Sequence, residues 1–339
     1  MTTPSKVAPG DRVAVVSPSA ALAGTFPHVY ERGLRVLRED LGLVPVEYPT
    51  TRAGGTPAER AADLMAAFAD DSVAAVMATV GGEDLITVLP YLDDKVLAAN
   101  PKPFFGYSDN TCLLQHLHGL GVAGWYGGSV MAHLGRVGGP HPYSMRWLRT
   151  ALSESGWRTL EPPAEFTDED APWHEPAAVP PPVRPATPWR WAGAAAGPVE
   201  GPTWGGCVEV VAWLLMAGRV PELPDGAVLL LETSEELVPA REVYRIMRSM
   251  GERGLLQRCD ALLMGRPKAW SVHDRRAMPQ RHEYVAAQHA AVLRAMGEYA
   301  PSSAVVLDVD FGHTSPQLVL PYGGAVRVDP AARTVSARY

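Results

Sequence analysis

Phe104-Phe105-Gly106-Tyr107-Ser108-Asp109-Asn110-Thr111 joins a short apolar run directly to a polar first helical turn. An apolar strand passing into a helix with almost no loop is one strand–helix unit, and repeated units of that kind build a parallel sheet. The same alternation continues on both sides. Upstream lie Arg12–Val16, ended by Ser17-Pro18-Ser19, and a helical stretch from about His28 to Asp40 with Leu34, Leu37 and Leu41 at helix spacing. Val44–Tyr48 reads as the second strand. Thr56-Pro57-Ala58-Glu59 opens a helix, with Thr56 as N-cap and Glu59 completing a capping box. Val73–Val80 is the third strand and ends at Gly81-Gly82. Downstream, a helix runs from Asp109 to about His118, and Val122–Tyr126 is a fifth strand before Gly127-Gly128. The pattern predicts an α/β fold with a doubly wound parallel sheet over residues 1–153. Ligands of such sheets bind beyond the carboxyl ends of the strands. The loops Ser17-Pro18-Ser19, Gly81-Gly82-Glu83 and Ser108-Asp109 all follow strands, so they are expected at one edge.

The composition then changes. Between about Glu154 and Pro188, nine prolines make regular structure improbable, and residues 154–190 read as a linker or a long loop covering the active site. Residues 191–339 read as a second, mixed α/β domain. Trp204-Gly205-Gly206 precedes a helix, Ala227–Glu232 is an apolar strand, and Ala240–Arg253 is amphipathic. Further strands are expected at Ala261–Met264, Ala304–Val309 and Leu318–Pro321.

The chain has 339 residues, 47% hydrophobic and 20% charged, with a formal net charge of −7. That balance suits a water-exposed globular protein and argues against a nucleic-acid partner, which asks for a basic face. Cys112, Cys207 and Cys259 are odd in number and widely spaced, which fits a reducing compartment and no disulfide framework. The polar start Met1-Thr2-Thr3-Pro4 has no apolar run of signal-peptide type, and no apolar stretch reaches membrane-spanning length. A cytoplasmic location with no membrane partner is the expectation. His282-Glu283 begins like a zinc motif, but the next histidine, His289, comes too late, and no Cys/His cluster has zinc spacing. Gly81-Gly82 lacks the dinucleotide spacing. Neither metal nor cofactor is expected.

Ser108 admits two readings. As the cap of the following helix it does what serine commonly does at such positions. As a nucleophile it would project Oγ from the sheet edge, beside a helix N-terminus that favours developing negative charge. The segment departs from G-x-S-x-G, because Asn110 replaces the second glycine. In the nucleophile reading the N–H of Asp109 is one oxyanion donor, and the Gly81-Gly82 turn brings a second. Gly81-Gly82 is equally an ordinary tight turn. Glu232 closes an apolar strand, where it either accepts a histidine Nδ1–H or stands solvated. Glu235 and Glu236 read as charges in the first turn of a helix. His313, between Gly312 and Thr314 on a loop after a strand, is placed to reach a nucleophile across a cleft.

In chain order these segments resemble the serine LD-carboxypeptidase family. The resemblance runs from Gly10-Asp11-Arg12 and Ser17-Pro18-Ser19 through Gly81-Gly82, Leu89-Pro90-Tyr91-Leu92-Asp93 and Gly106–Thr111. It continues through Trp204-Gly205-Gly206 and Leu231–Glu236, and closes at Gly312-His313-Thr314 and Leu320-Pro321-Tyr322-Gly323. It implies an N-terminal parallel domain, a C-terminal mixed domain and a site between them. It implies a catalytic triad of Ser108, Glu232 and His313, an oxyanion hole from the N–H groups of Gly82 and Asp109, and a homodimer. Family members that recycle murein cleave between an L- and a D-residue of a tetrapeptide. Those of the microcin-immunity branch cleave the acyl bond joining an acidic amino acid to a nucleotide-like group. The Gly81-Gly82-Glu83 and Leu89–Asp93 segments are more similar to the immunity branch, which implies a small peptide or aminoacyl-nucleotide partner. The resemblance also sets Trp173 and Trp204 against substrate, with Trp173 either stacking on a nucleobase or pinning its own loop. Cys207 stands where the family commonly has asparagine, and that departure bears on substrate contacts.

Overall fold

The computed structural model describes residues 1–339. The first sheet grows from five short apolar runs: β1 (Arg12–Val16), β2 (Val44–Glu47), β3 (Val73–Ala78), β4 (Phe104–Gly106) and β5 (Gly124–Tyr126). These five pair in parallel in the order β5-β4-β3-β1-β2. Their connections are helices, as parallel neighbours require. The helix Pro57–Ala69 starts as its sequence predicts: Thr56 N–H donates to Glu59 Oε2 at 2.8 Å and Glu59 N–H returns to Thr56 Oγ1 at 3.3 Å. Both orphan donors at that end are thereby satisfied.

The second sheet has eight strands. Its short outer members are β6 (Trp157–Leu160) and β9 (Arg190–Gly193), separated in the chain by the small pair β7 (Glu165–Phe166) and β8 (Arg184–Pro185). Its centre is β10 (Val199–Cys207), β11 (Ala227–Glu232), β12 (Cys259–Gly265) and β13 (Ala304–Val309), all parallel. β14 (Leu320–Tyr322) leaves this region, and β15 (Ala325–Asp329) and β16 (Thr334–Arg338) return antiparallel beside β10. The parallel centre is buried on both faces, which explains the continuous apolar run of β11.

Two sequence expectations need correction. Residues 154–190 are not wholly irregular, because β6 pairs with β16 and is part of the second sheet. The proline density begins only at Pro162, so nothing prevents Trp157–Leu160 from extending. The strand near residue 320 does not belong to the second sheet: β14 pairs antiparallel with β5 and closes the edge of the first. An uncovered β5 would present a row of unpaired backbone groups. The two sheets therefore share strands across the chain, and one continuous apolar core runs between them.

Candidate active site

The three loops at the carboxyl ends of β1, β3 and β4 converge. Asp109 ties them together: its Oδ2 accepts from Ser19 Oγ and from the N–H of Leu85 at 2.8 Å, and Cys112 Sγ lies 3.7 Å from Oδ1. Burial raises the Asp109 carboxyl above its ordinary range, against the pull of these donors. Within the clamp, Ser108 has φ +62°, a conformation costly for a residue with a Cβ. The chain passes from β4 through a tight turn at Ser108–Asn110 into the helix Thr111–Gly119. This is the strained strand-to-helix elbow that projects a side chain from a sheet edge. Gly81 gives it room, since a Cβ there would lie 2.9 Å from Ser108 Oγ. The same hypothetical Cβ lies 3.5 Å from the N–H nitrogen of Asp109, so the turn after β3 and the start of the helix face one small space.

The second sheet contributes the charged half. Glu232, at the end of β11, is fully buried. Its Oε2 accepts from His313 Nδ1 at 2.7 Å and its Oε1 from the Tyr126 hydroxyl at 2.6 Å. Tyr126 ends β5 in the first sheet, and its hydroxyl also lies 3.4 Å from the N–H of Ser108. One phenol thus connects the elbow to the carboxylate. His313 sits on the loop after β13. That loop is fixed by Asp310, which accepts from Arg266 Nε and Trp189 Nε1 at 2.8 Å each, and by Gln317, whose Nε2 donates to Gly312 O at 2.7 Å. Glycine is required at 312, where φ is +96° and a Cβ would lie 2.5 Å from Glu232 Oε2. The Tyr107 ring lies against the His313 ring, 5.0 Å between centroids.

The imidazole has a second carboxylate. Its Nε2 faces Glu235 Oε2 at 3.2 Å, and Ser108 Oγ makes no hydrogen bond to it in this structure. Burial opposes charge on His313, but Glu232 and Glu235 outweigh it and hold its pKa up to about 9. Sequence reasoning missed this role. It placed Glu235 in the first turn of a helix, whereas the helix begins only at Ala240 and Glu235 occupies a turn. Pro239 before that helix was the available signal, because a proline marks where a helix can first start. Tyr126 was also missed; its place at a strand end on the same sheet edge was the clue.

Two aromatic expectations fare differently. Trp204 lies in the centre of the second sheet, 1% exposed, and offers no face to a substrate. The half of β10 around it, Thr203–Cys207, is buried throughout, and that corrects the contact expected from the resemblance. Trp173, within the proline-rich segment, packs edge-on against Phe26 with centroids 5.7 Å apart. Cys207 is buried too: its Sγ lies 3.2 Å from Glu209 Oε2, and its N–H donates to Thr111 Oγ1 at 3.2 Å. Burial and Glu209 raise its thiol far above the ordinary range, which makes it a poor nucleophile. No group of three or more His, Cys, Asp or Glu side chains is arranged to hold a metal ion.

Fold and sequence together define a serine-type peptidase. The chain belongs to the LD-carboxypeptidase family, whose N-terminal domain matches residues 13–127 and whose C-terminal domain matches residues 200–328. It is 26% identical to the microcin C7 self-immunity protein MccF of Escherichia coli, over 97% of this chain and 94% of that one. It is 29% identical to the murein tetrapeptide carboxypeptidase of Pseudomonas aeruginosa, over 92% and 91% respectively. A solved structure of MccF in complex with aspartyl sulfamoyl adenosine shares the fold, with a TM-score of 0.82, 24% identity and 99% of each chain covered. No helix is long and apolar enough to cross a membrane.

Proposed function

We propose that Ser108 is the nucleophile of a Ser108–His313–Glu232 triad that cleaves the acyl or amide bond between an acidic amino acid and a nucleotide-like group. The observation that carries this reading is the buried Glu232–His313 pair, 2.7 Å apart, set on the loop edge of one sheet and linked through Tyr126 to the Ser108 elbow of the other. His313 takes the proton of Ser108 as Oγ attacks the scissile carbonyl, and Glu232 holds the imidazole tautomer. The N–H groups of Gly82 and Asp109 receive the oxyanion. His313 then protonates the leaving amine, and water releases the acyl group from Ser108. Reaching this arrangement requires Nε2 to exchange Glu235 for Ser108, a rearrangement of the kind free enzymes leave to their substrates.

The family precedent and the likeness to an aminoacyl-nucleotide-binding relative support the substrate class. A second reading, cleavage of a murein tetrapeptide between its L- and D-residues, is supported by the similarity to the P. aeruginosa enzyme. Side-by-side hydrolysis of aspartyl sulfamoyl adenosine and a murein tetrapeptide separates the two. In either case Ser108→Ala lowers turnover at least 10⁴-fold with an unchanged circular-dichroism spectrum; wild-type turnover by that variant would refute the triad. A homodimer and a cytoplasmic location belong to the same proposal. Three unpaired cysteines fit a reducing compartment, and light scattering and cell fractionation test each point.

A further inference from the structure

Glu235 holds a position that catalysis needs. An Nε2 that is to receive a proton from Ser108 must be free of a carboxylate, yet here it is ion-paired with Glu235, whose Oε2 lies 3.2 Å away. Unlike Glu232, whose side chain is 1% exposed, the Glu235 side chain is 55% exposed, on a turn free of regular structure. It is therefore the partner able to move.

The charges around the imidazole indicate what draws it away. Glu232 and Glu235 reach the ring from the end of β11, and Glu209 stands behind them on the helix Val208–Met216. Tyr107 packs on the ring from the first sheet, and His133 lies beyond it, its ring 5.1 Å from that of Tyr107. Lys268 donates to the His313 carbonyl at 3.3 Å, but its ammonium is already paired with Asp170 at 2.8 Å. Glu209 is occupied by Ser234 and Cys207. Of the two anions on the imidazole, Glu232 is also held by the Tyr126 hydroxyl, whereas Glu235 has no partner besides His313. A carboxylate there, one imidazole away from the scissile carbonyl, suits a cation carried on the carbon next to that carbonyl.

We infer that Glu235 is the specificity residue for a free α-ammonium group on the acyl side of the scissile bond, and that until such a group arrives it holds His313 Nε2 away from Ser108. The inference rests on the aminoacyl reading proposed above and narrows it: the acyl group is a single amino acid with a free amine, since an acylated or peptide-linked amine carries no charge. Binding then does two things. The ammonium takes Glu235, and His313, relieved of one anion, holds its proton less tightly and turns a neutral Nε2 to Ser108 as the base.

The test uses the full chain carrying Ser108→Ala, so that ligands stay intact. Calorimetry compares aspartyl sulfamoyl adenosine with its des-amino analogue, first in that background and then with Glu235→Gln added. The amine is expected to strengthen binding about 10- to 100-fold in the first case and less than about 3-fold in the second. Equal binding of the two ligands to Ser108→Ala, or a preference that survives Glu235→Gln, overturns the inference while leaving the triad intact. If neither ligand binds and a murein tetrapeptide is cleaved by the unmutated enzyme, the aminoacyl reading itself fails and this inference falls with it. A second readout separates a placed charge from a merely structural side chain. In the unmutated enzyme kcat/KM for the des-amino analogue, which has no amine of its own to titrate, climbs with pH towards about 9, because only neutral His313 accepts a proton. In Glu235→Gln that limb moves to lower pH, since one of the two anions retaining the proton is gone. An unmoved limb would also count against Glu235.

Discussion

The two sheets build their halves of the site by different means. At the edge of the first, the Ser108 elbow depends on backbone: a positive φ, a glycine that leaves room, and one buried aspartate tying the loops of three neighbouring strands. At the edge of the second, His313 depends on charged and polar side chains from distant segments: Glu232, Glu235, Arg266 with Asp310, and Trp189. The first half is a shape and the second is an electrostatic circuit. Mutations should therefore fail differently in the two halves, geometry being lost in one and protonation in the other.

The largest expected effect breaks the circuit. Glu232→Gln keeps the volume but removes the charge that orients the imidazole, so kcat should fall about 10³- to 10⁴-fold with little change in KM. It should also remove a pH-dependent part of stability. A histidine whose folded pKa is raised to about 9 stabilises fully below its unfolded value, about 6.5, and loses that contribution as pH climbs through about 9. Unfolding followed between pH 6 and 10 should show that slope in the unmutated chain and a shallower one in the variant, where Glu235 alone remains. A smaller effect tests the shape. Gly81→Ala puts a methyl 2.9 Å from Ser108 Oγ, so kcat should fall about 100-fold with the pH profile unmoved. A shifted profile in that variant would show that the halves are not separable. The smallest effect is a control outside both. Thr56→Ala removes the cap of Pro57–Ala69, which should cost about 1 kcal/mol and lower Tm by about 2 °C, with kcat unchanged.

The same contrast explains what could be read in the chain. The first sheet's parallel strands, its three convergent loops and the Thr56 cap were legible because each rests on residues close in sequence. Ser108 itself was ambiguous locally, since a cap and a nucleophile occupy the same kind of turn. It gained meaning only from Glu232 and His313, more than a hundred residues away, through resemblance and not periodicity. Glu235 was misread because nothing local distinguishes a first-turn acid from one that reaches across to an imidazole. Tyr126 was hidden for a similar reason: a tyrosine ending an apolar strand is ordinary until its hydroxyl meets a buried carboxylate. The burial of Trp204 was hidden, because nothing in Trp204-Gly205-Gly206 distinguishes a tryptophan packed inside a sheet from one that faces a substrate. The departure of β14 to the other sheet was invisible, since a three-residue strand carries no sign of its partner.

That strand has a consequence for synthesis. β5 is finished at Tyr126, but the strand that covers it begins at Leu320. At translation rates of about 5–20 residues per second, the nascent chain carries an open sheet edge for roughly ten to forty seconds. During that interval Ser108 exists without the histidine that the proposed triad pairs with it. The price is a window in which that edge is open to pairing with a neighbouring chain on the same message.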